Sequence, residues 1–343
     1  MKIVSIEIQR VKIPLKKAFK TALRVAQDAE LIRVFIQTDT LHTGVGEAPA
    51  TKVITGEGLE EIENWIEKIK KNIYGLTPKE AIEYLHATKI GSSAKAALEM
   101  ASISLLAQQN NQTLYEYFDI QNTAPLYTAV TISCNSAEEM LEDAKKMFQE
   151  KNFILKLKFS HDIEHALDVT HAISKALPKC KILVDPNQAW SVEETLYYLE
   201  NLKVKIELLE QPVVATDTEG LKRIKEQTDV VIVADEAVFT LLDAIGVMGS
   251  KSADMFNIKL MKCGGITKAI ELLEYAREIK VGVMLGSMLE GPFSINYALY
   301  LAFLYRDVVQ FIDLDSPLLH RDMPEALDFM YDGCEIKIVK KEV

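Results

Sequence analysis

The chain beyond residue 123 repeats one pattern, in which a short β-rich segment is followed by an amphipathic helical stretch. Landmark residues of successive β segments recur every 24 to 28 positions. The eight β segments are, in order, LYTAVTIS, FILKLKF, KILVDPN, KIELLEQP, VVIVADE, MFNIKLMK, VGVMLGSMLE and VVQFIDLD. Eight βα units of this period predict a parallel α/β barrel. A doubly wound open sheet remains the alternative on the pattern alone.

The first 120 or so residues have a different sequence pattern, which predicts a separate α+β domain. Residues 1 to about 50 alternate in polarity as antiparallel strands do, and helical spacing begins after the TGVGEAP turn. The apolar stretch AKAALEMASISLLA at 94–107 is expected to be a helix that packs this domain against the barrel.

The charge and the apolar runs restrict the kinds of partner that this chain can have. Its 39 basic and 50 acidic side chains leave a formal charge of −11, which argues against binding to nucleic acid or an anionic membrane surface. Runs such as VVIVA are too short to span a bilayer, and the N-terminal stretch lacks a signal-peptide core. We therefore expect a cytoplasmic enzyme that acts on a small molecule.

Polar or ionisable residues end almost every predicted strand of the barrel. The active sites of such barrels are built at the carboxyl ends of several different strands. The sequence KCGG at 262–265, by contrast, predicts only a tight turn after the sixth strand. The residues that mark the expected active site are Lys158, Asp185, Glu210, Asp235, Lys259, Asp313 and Asp315.

Three of these residues are carboxylates on successive strands, namely Asp185, Glu210 and Asp235. Three converging carboxylates repel one another unless a hard cation neutralises them. Because no histidine or cysteine is nearby, oxygen ligands alone favour Mg²⁺, with Mn²⁺ as an alternative, over zinc. Asn187 and Glu236 are the neighbours expected to support these ligands.

Two of the lysines are expected to face each other across the barrel mouth. Lys158 is on the second strand and Lys259 is on the sixth, four strands apart in a ring of eight. A substrate carboxylate held on the metal would then have a base on each side of its α-carbon. One lysine can remove the α-proton, leaving an enediolate that the metal stabilises, while the other returns a proton to the opposite face. Lys156 is expected to lower the pKa of Lys158. The arrangement predicts a racemase or epimerase.

The Lys-x-Lys of the second strand, the three carboxylates and the lysine of the sixth strand resemble the muconate-lactonising-type subgroup of the enolase superfamily. The resemblance implies a (β/α)7β TIM-like barrel over residues 123–317. It also implies an N-terminal α+β capping domain over residues 1–122, completed by the C-terminal tail, residues 318–343, packing back on it.

The acidic pair in FIDLDSP indicates which reaction of the subgroup this chain catalyses. Asp313 and Asp315 lie opposite the metal-binding strands and two positions apart, so they are expected to project together and to hold a substrate ammonium. An Asp-x-Asp here resembles the dipeptide epimerases. That resemblance implies that Arg24 binds the carboxylate of the substrate side chain. It also implies that the following residues lie against the substrate: Thr131, Lys156, Ser287 and Leu289.

The sequence thus predicts a Mg²⁺-dependent isomerase that epimerises the second residue of Ala-Xaa dipeptides, such as Ala-Glu or Ala-Ala, derived from peptidoglycan. A homo-oligomer is compatible with the sequence. Another reaction of the subgroup, cycloisomerisation or o-succinylbenzoate synthesis, remains an alternative. So do a Schiff-base lyase that uses one lysine and a protein that binds a metal or an amino acid without catalysis.

Overall fold

The computed structural model describes residues 1–339 and begins with a three-stranded antiparallel sheet. The strands pair in chain order, β1 (Ile3–Lys20), β2 (Val25–Thr38) and β3 (Thr43–Pro49). Alternate residues of the central strand, Ile32, Val34 and Ile36, are fully buried, so one face of the sheet belongs to the core. The predicted meander is confirmed, but the TGVGEAP segment, predicted as a turn, is its third strand, because its backbone pairs with β2.

Five helices follow this sheet: α1 (Lys52–Thr55), α2 (Leu59–Ile73), α3 (Pro78–Ala87), α4 (Ser92–Gln109) and α5 (Leu114–Tyr117). The strand β3 lies so close to α4 that a Cβ atom at Gly44 or Gly46 would stand 2.0 Å from a carbonyl oxygen of that helix. On its other side α4 meets the barrel, where the Tyr297 hydroxyl donates to the carbonyl of Met100 at 2.7 Å. The predicted role of α4 between the two parts is confirmed.

The barrel is formed by eight parallel strands that lie side by side in chain order, with helices between them. A doubly wound sheet would break this order at a switch point, so that alternative is excluded. The elements are β5 (Val130–Ile132), α6 (Ala137–Gln149), β6 (Ile154–Lys158), α7 (Ile163–Ala176), β7 (Lys181–Asp185), α8 (Val192–Asn201), β8 (Leu208–Glu210), α9 (Thr218–Lys225), β9 (Val231–Ala234), α10 (Leu241–Gly249), β10 (Met255–Ile258), α11 (Leu260–Cys263), α12 (Ile266–Glu278), β11 (Val283–Gly286), α13 (Pro292–Leu304), β12 (Val309–Asp313) and α14 (Ser316–Leu319). The predicted (β/α)7β architecture is confirmed. Among residues 1–339, no helix is long and apolar enough to cross a membrane.

The first and last strands of the barrel meet through hydrogen bonds just outside the regular ladders. The Ala129 amide donates to the Ile312 carbonyl at 2.7 Å, and the Leu314 amide donates to the Thr128 hydroxyl at 2.9 Å. The interior is filled by side chains of different strands: Ala129, Leu183, Leu208, Val233, Met255 and Met284. The barrel is therefore a packed core whose polar residues are concentrated at one end.

The segment after α14 contacts both parts of the molecule. Its first residues reach the N-terminal sheet, where Arg321 donates its amide to the Pro14 carbonyl at 2.8 Å. The later strands are β13 (Phe329–Asp332) and β14 (Glu335–Ile338), which pair with each other, and β14 also pairs with β4 (Leu126–Tyr127) just before the first barrel strand. Residues 340–343 of the expected tail lie outside the described residues. The boundaries 1–122 and 123–317 stay predictions.

His320 is expected to make the protein sensitive to acid. It is fully buried, and burial together with the charge of Lys16 lowers its pKa from 6.5 to about 4. Because the folded pKa is depressed, the unfolded chain binds the proton more readily, so stability falls as the pH drops from about 6.5 to about 4. The full effect is about 3 kcal/mol. Urea unfolding of His320→Gln should show that the stability difference from wild type changes between pH 7.5 and pH 4.5. A constant difference would contradict the assignment.

Candidate active site

One cavity lies where the carboxyl ends of the barrel strands meet the N-terminal domain. Its barrel wall contains nine of the residues that sequence analysis singled out, among them both catalytic candidates. Its other wall comes from the turn between β1 and β2 and from the segment that carries α1. The predicted residues in the lining are Arg24, Thr131, Lys158, Asn187, Glu236, Lys259, Ser287, Leu289, Asp313 and Asp315.

The two lysines enter this cavity from strands that stand four apart in the order of the sheet. Lys158 ends β6 and Lys259 directly follows β10, and each side chain is only 7% exposed. The Lys158 ammonium lies 2.5 Å from Asp185 Oδ2, and the Lys259 ammonium lies 2.6 Å from Asp235 Oδ2. Burial lowers the pKa of Lys259, but the charges of Asp235, Glu210 and Glu236 together outweigh it, so the pKa is raised. Lys259 can act as a base only when it is released from this pairing.

Lys156 does not line the cavity, although the resemblance implied that it meets the substrate. It is fully buried, and its ammonium lies 3.0 Å from Asp185, 2.6 Å from Glu210 and 2.7 Å from Asp313. Burial lowers the pKa of Lys156, but these three carboxylates raise it well above its usual value. The lysine therefore stays charged and joins the carboxylates of β7 and β8 to Asp313. Its contact with substrate stays a prediction.

The three predicted metal ligands are buried behind the cavity wall, at the ends of β7, β8 and β9. Asp185 and Asp235 are each held by two lysines, which outweigh the effect of burial and lower the pKa of both carboxyl groups. Burial raises the pKa of Glu210 to about 7 despite Lys156, and the charges of Asp185 and Asp235 add to this shift. The carboxylates are thus close enough to repel one another.

The chemistry of these donors fits a hard divalent cation. Both carboxylate oxygens of Glu236 and the amide oxygen of Asn187 are buried without a hydrogen-bond partner in the described part of the chain. Burial raises the pKa of Glu236 to about 8, and repulsion from Asp235 and Asp185 contributes. Unsatisfied buried oxygens of this kind are what a cation compensates. Within residues 1–339 the carboxylates do not form a ligand cluster around a single point. Lysines contact the three predicted ligands instead.

Asp313 and Asp315 both line the cavity, but they reach it in different ways. Asp313 ends β12, and its Oδ1 is buried with no hydrogen-bond partner among the residues that the structure describes. Asp315 has left the strand for a helical conformation, with φ −90° and ψ −1°, so strand alternation does not explain its direction. Its Oδ2 accepts from the Thr131 amide at 2.7 Å, and burial together with Asp313 raises its pKa to about 6. Two acceptors near one another suit an ammonium group.

The remaining predicted contacts also lie at the cavity. The Arg24 side chain donates to the Ala50 carbonyl at 3.2 Å, and burial lowers its pKa. Among the described residues it has no carboxylate partner, so its charge is available to an anion. The Ser287 amide donates to the Asp313 carbonyl at 3.1 Å. Leu289 packs against the N-terminal domain next to Leu31.

Sequence analysis missed two polar residues beside the predicted metal ligands. Asn257 donates from its side chain to Glu210 Oε1 at 2.9 Å. It stands in β10, two positions before Lys259, as Lys156 stands two positions before Lys158, and that spacing could have identified it. Lys262 contacts Asp235 Oδ1 at 2.6 Å from the one-turn helix α11. Only its spacing three positions after Lys259 could have suggested it.

Residues 139–340 match the family model described as Enolase C-terminal domain-like. The chain belongs to this family. The enolase-family chain is 54% identical over 98% of its length to the L-amino acid-D/L-Glu epimerase of Sulfurimonas denitrificans, 99% of which is covered. It is 38% identical to the L-Ala-D/L-Glu epimerase of Bacillus subtilis, over 99% of the chain and 95% of that protein. The family resemblance is confirmed, and the chain is an enzyme of the isomerase class.

Solved structures of epimerases share the whole architecture of the enolase-family chain. A substrate complex of the Bacillus subtilis L-Ala-D/L-Glu epimerase superposes with a TM-score of 0.91 at 36% identity, covering 98% of this chain and 96% of that one. A dipeptide epimerase from Enterococcus faecalis, complexed with Mg and the dipeptide L-Leu-L-Tyr, has a TM-score of 0.90 at 30% identity. That comparison covers 98% of this chain and 97% of the other.

Proposed function

We propose that this chain is a Mg²⁺-dependent dipeptide epimerase that inverts the α-carbon of the second residue by proton transfer between two lysines. The observation that carries the proposal is the position of Lys158 and Lys259. They border one cavity from strands four apart, and two aspartates line the same cavity. A site for one substrate thus has a proton carrier on each of two sides and an ammonium site at its end.

The α-hydrogen of a carboxylate is a weak acid, because its removal adds a second negative charge to the carboxylate group. Asp185, Glu210 and Asp235 would hold Mg²⁺, which supplies positive charge next to that carboxylate. One lysine, in its neutral form, takes the proton, and the ammonium of the other donates a proton to the opposite face. The two lysines exchange protonation states, and the configuration of the carbon is inverted.

The substrate is proposed to bind with its amino group at Asp313 and Asp315 and its second side chain towards Arg24. A partly buried guanidinium that has no carboxylate partner among residues 1–339 favours an acidic second residue. The names of the relatives from Sulfurimonas denitrificans and Bacillus subtilis agree with glutamate at this position. Dipeptides of peptidoglycan origin in the cytoplasm are the proposed substrates.

The test is to incubate the protein with L-Ala-L-Glu and other Ala-Xaa dipeptides in D₂O with Mg²⁺. Mass spectrometry and chiral chromatography then follow deuterium at the second α-carbon and inversion there. We expect both, with acidic second residues fastest. Deuterium without inversion would show that the protein abstracts the α-proton but is not an epimerase. No deuterium in any dipeptide would overturn the proposal. Inactivation by borohydride in the presence of substrate would favour a Schiff-base mechanism instead.

Asp315→Asn tests the ammonium site while disturbing little else. An amide oxygen can still accept from the Thr131 amide, whereas the negative charge is lost. We expect kcat/KM for L-Ala-L-Glu to fall by about 10- to 100-fold, mainly through KM, because a buried charge pair is broken. N-acetyl-L-Ala-L-Glu, which has no ammonium group, serves as the control and should lose no activity. Equal losses for both substrates would contradict the assignment.

A further inference from the structure

The helices of the barrel differ in how their first turns are capped. Most of them begin at a residue whose own side chain accepts a hydrogen bond from the first turn. Two long helices, α12 and α13, begin instead at glycines, Gly265 and Gly291, which have no side chain to accept one. The residues that cap their own helices are Ser136, Asp162, Ser191, Asp217 and Thr240.

Carboxylates of the N-terminal domain take the place of the missing caps. Glu99 of α4 is fully buried, and its Oε1 accepts from the Thr267 amide at 3.0 Å and from the Thr267 hydroxyl. Glu47 of β3 is also fully buried, and its Oε2 accepts from the Phe293 amide at 3.0 Å. Thr267 and Phe293 are the second residues of α12 and α13, where a capping oxygen normally binds.

The glycines leave the space that these carboxylates occupy. A Cβ atom at Gly265 would lie 1.8 Å from Glu99 Oε2, and one at Gly291 would lie 2.3 Å from Glu47 Oε2. Gly265 also has φ +120°, a conformation that residues with side chains rarely adopt. A side chain at either glycine would therefore exclude the carboxylate. Each helix is capped across the domain boundary, and the negative charge also suits its N-terminus.

The start of α12 is linked to the backbone of Lys259 through the one-turn helix α11. The amides of Lys262 and Cys263 donate to the Lys259 carbonyl at 2.9 Å and 3.1 Å. The Gly265 amide donates to the Leu260 carbonyl at 2.9 Å. The turn that Glu99 contacts at one end thus closes on Lys259 at the other. The corresponding segment before α13 carries Ser287 and Leu289, but neither lysine.

We propose that Glu99 is a positioning residue that holds the α11–α12 turn, and with it Lys259, from the N-terminal domain. The catalytic role of Lys259 in this proposal rests on the proposed function. The contacts between Glu99 and the turn do not depend on it. Loss of Glu99 should loosen the turn and displace Lys259 while leaving Lys158, on the opposite strand, unaffected. Glu47 provides a matched control, because it caps a neighbouring helix in the same way without contacting a lysine-bearing turn.

Hydrogen exchange of the free protein tests the contact without reference to catalysis. In Glu99→Gln and Glu99→Ala we expect amide exchange in residues 260–268 to be at least about tenfold faster than in wild type. Glu47→Gln should accelerate exchange at residues 292–296 and leave residues 260–268 unchanged. Thr267→Val removes the hydroxyl that donates to Glu99 and keeps the amide. It should accelerate exchange in residues 260–268 by a smaller factor. Unchanged protection at 260–268 in both Glu99 variants would overturn the proposal.

Exchange of the substrate α-proton in D₂O tests the consequence for Lys259. Lys259→Met first identifies the epimer whose proton this lysine removes. Glu99→Gln should slow exchange from that epimer by about tenfold, the scale for a reacting group displaced by a fraction of an ångström. Exchange from the other epimer should stay within twofold of wild type, whereas Glu47→Gln should affect both epimers equally.

Equal slowing of both epimers in Glu99→Gln would overturn the positioning role even if the protein epimerises dipeptides. If the wild-type protein exchanged no α-proton from either epimer, the proposed function would fail. The hydrogen-exchange comparison of Glu99 and Glu47 variants would then decide the proposal by itself, because it needs no substrate.

Discussion

Replacing Lys259 with methionine is expected to reduce epimerisation by about 10³-fold or more, while one epimer still exchanges its α-proton with solvent. A general base or acid contributes about 10²- to 10⁴-fold, and inversion needs both lysines. Lys158→Met should show the same loss of epimerisation and keep exchange in the other epimer. The measurement combines chiral chromatography for inversion with NMR for deuterium at the α-carbon, each started from one pure epimer.

Both lysine variants are expected to fold, because neither leaves a buried carboxylate without a cation. Asp235 keeps Lys262 at 2.6 Å when Lys259 is removed, and Asp185 keeps Lys156 at 3.0 Å when Lys158 is removed. An unpaired buried charge would otherwise destabilise the protein by about 3–5 kcal/mol. Lys225→Met, in a barrel lysine outside the cavity, is the control and should retain full activity. If both lysine variants lost exchange from the same epimer, the two-base assignment would be wrong.

The position of a side chain could be predicted from the sequence where it depends only on the place of the residue in the βα repeat. Lys158, Asp185 and Glu210 are the last residues of their strands, and the parallel order brings those ends together. The period of the repeat therefore predicts the same edge for all of them, without knowledge of any contact. The assignment of Asp313 to the cavity follows in the same way.

The sequence could not predict which cation each carboxylate contacts. Lys156 and Lys158 share one face of β6, yet Lys156 is fully buried between three carboxylates and Lys158 reaches the cavity. The difference depends on depth within the barrel, which alternation does not encode. Asp315 lines the cavity for another reason, because the chain leaves the strand direction at this residue to enter α14. Both outcomes depend on backbone geometry beyond the end of a strand.

The contacts of Glu99 and Glu47 were equally hidden. Glu99 lies 168 residues before Thr267, and Glu47 lies 246 residues before Phe293. Neither glutamate stands in a capping motif with its partner, since such motifs link residues three or four positions apart. The only local sign is a glycine at the start of each helix, where a serine, threonine or aspartate is usual.

Glu210→Gln is expected to reduce activity severely by weakening the binding of a divalent ion at the carboxylates. The glutamine can still accept from Asn257 through its oxygen, so the strand end should keep its shape. It loses, however, the charge that a hard cation requires. We expect Mn²⁺ affinity, measured by electron paramagnetic resonance without substrate, to fall at least about 100-fold, and epimerisation to fall by about 10³-fold.

The physical reason lies in the balance of charges among the buried carboxylates. Burial, with the charges of Asp185 and Asp235, raises the pKa of Glu210 to about 7, so its ionised form is disfavoured until a cation arrives. Glu57→Gln changes a buried carboxylate of the N-terminal domain, which is 3% exposed, and should leave Mn²⁺ affinity unchanged. Chelation with EDTA should abolish epimerisation by wild type, and added Mg²⁺ should restore it. Full activity in protein shown by elemental analysis to be free of divalent metal would refute the metal assignment, while the lysine variants would still test the proton transfer.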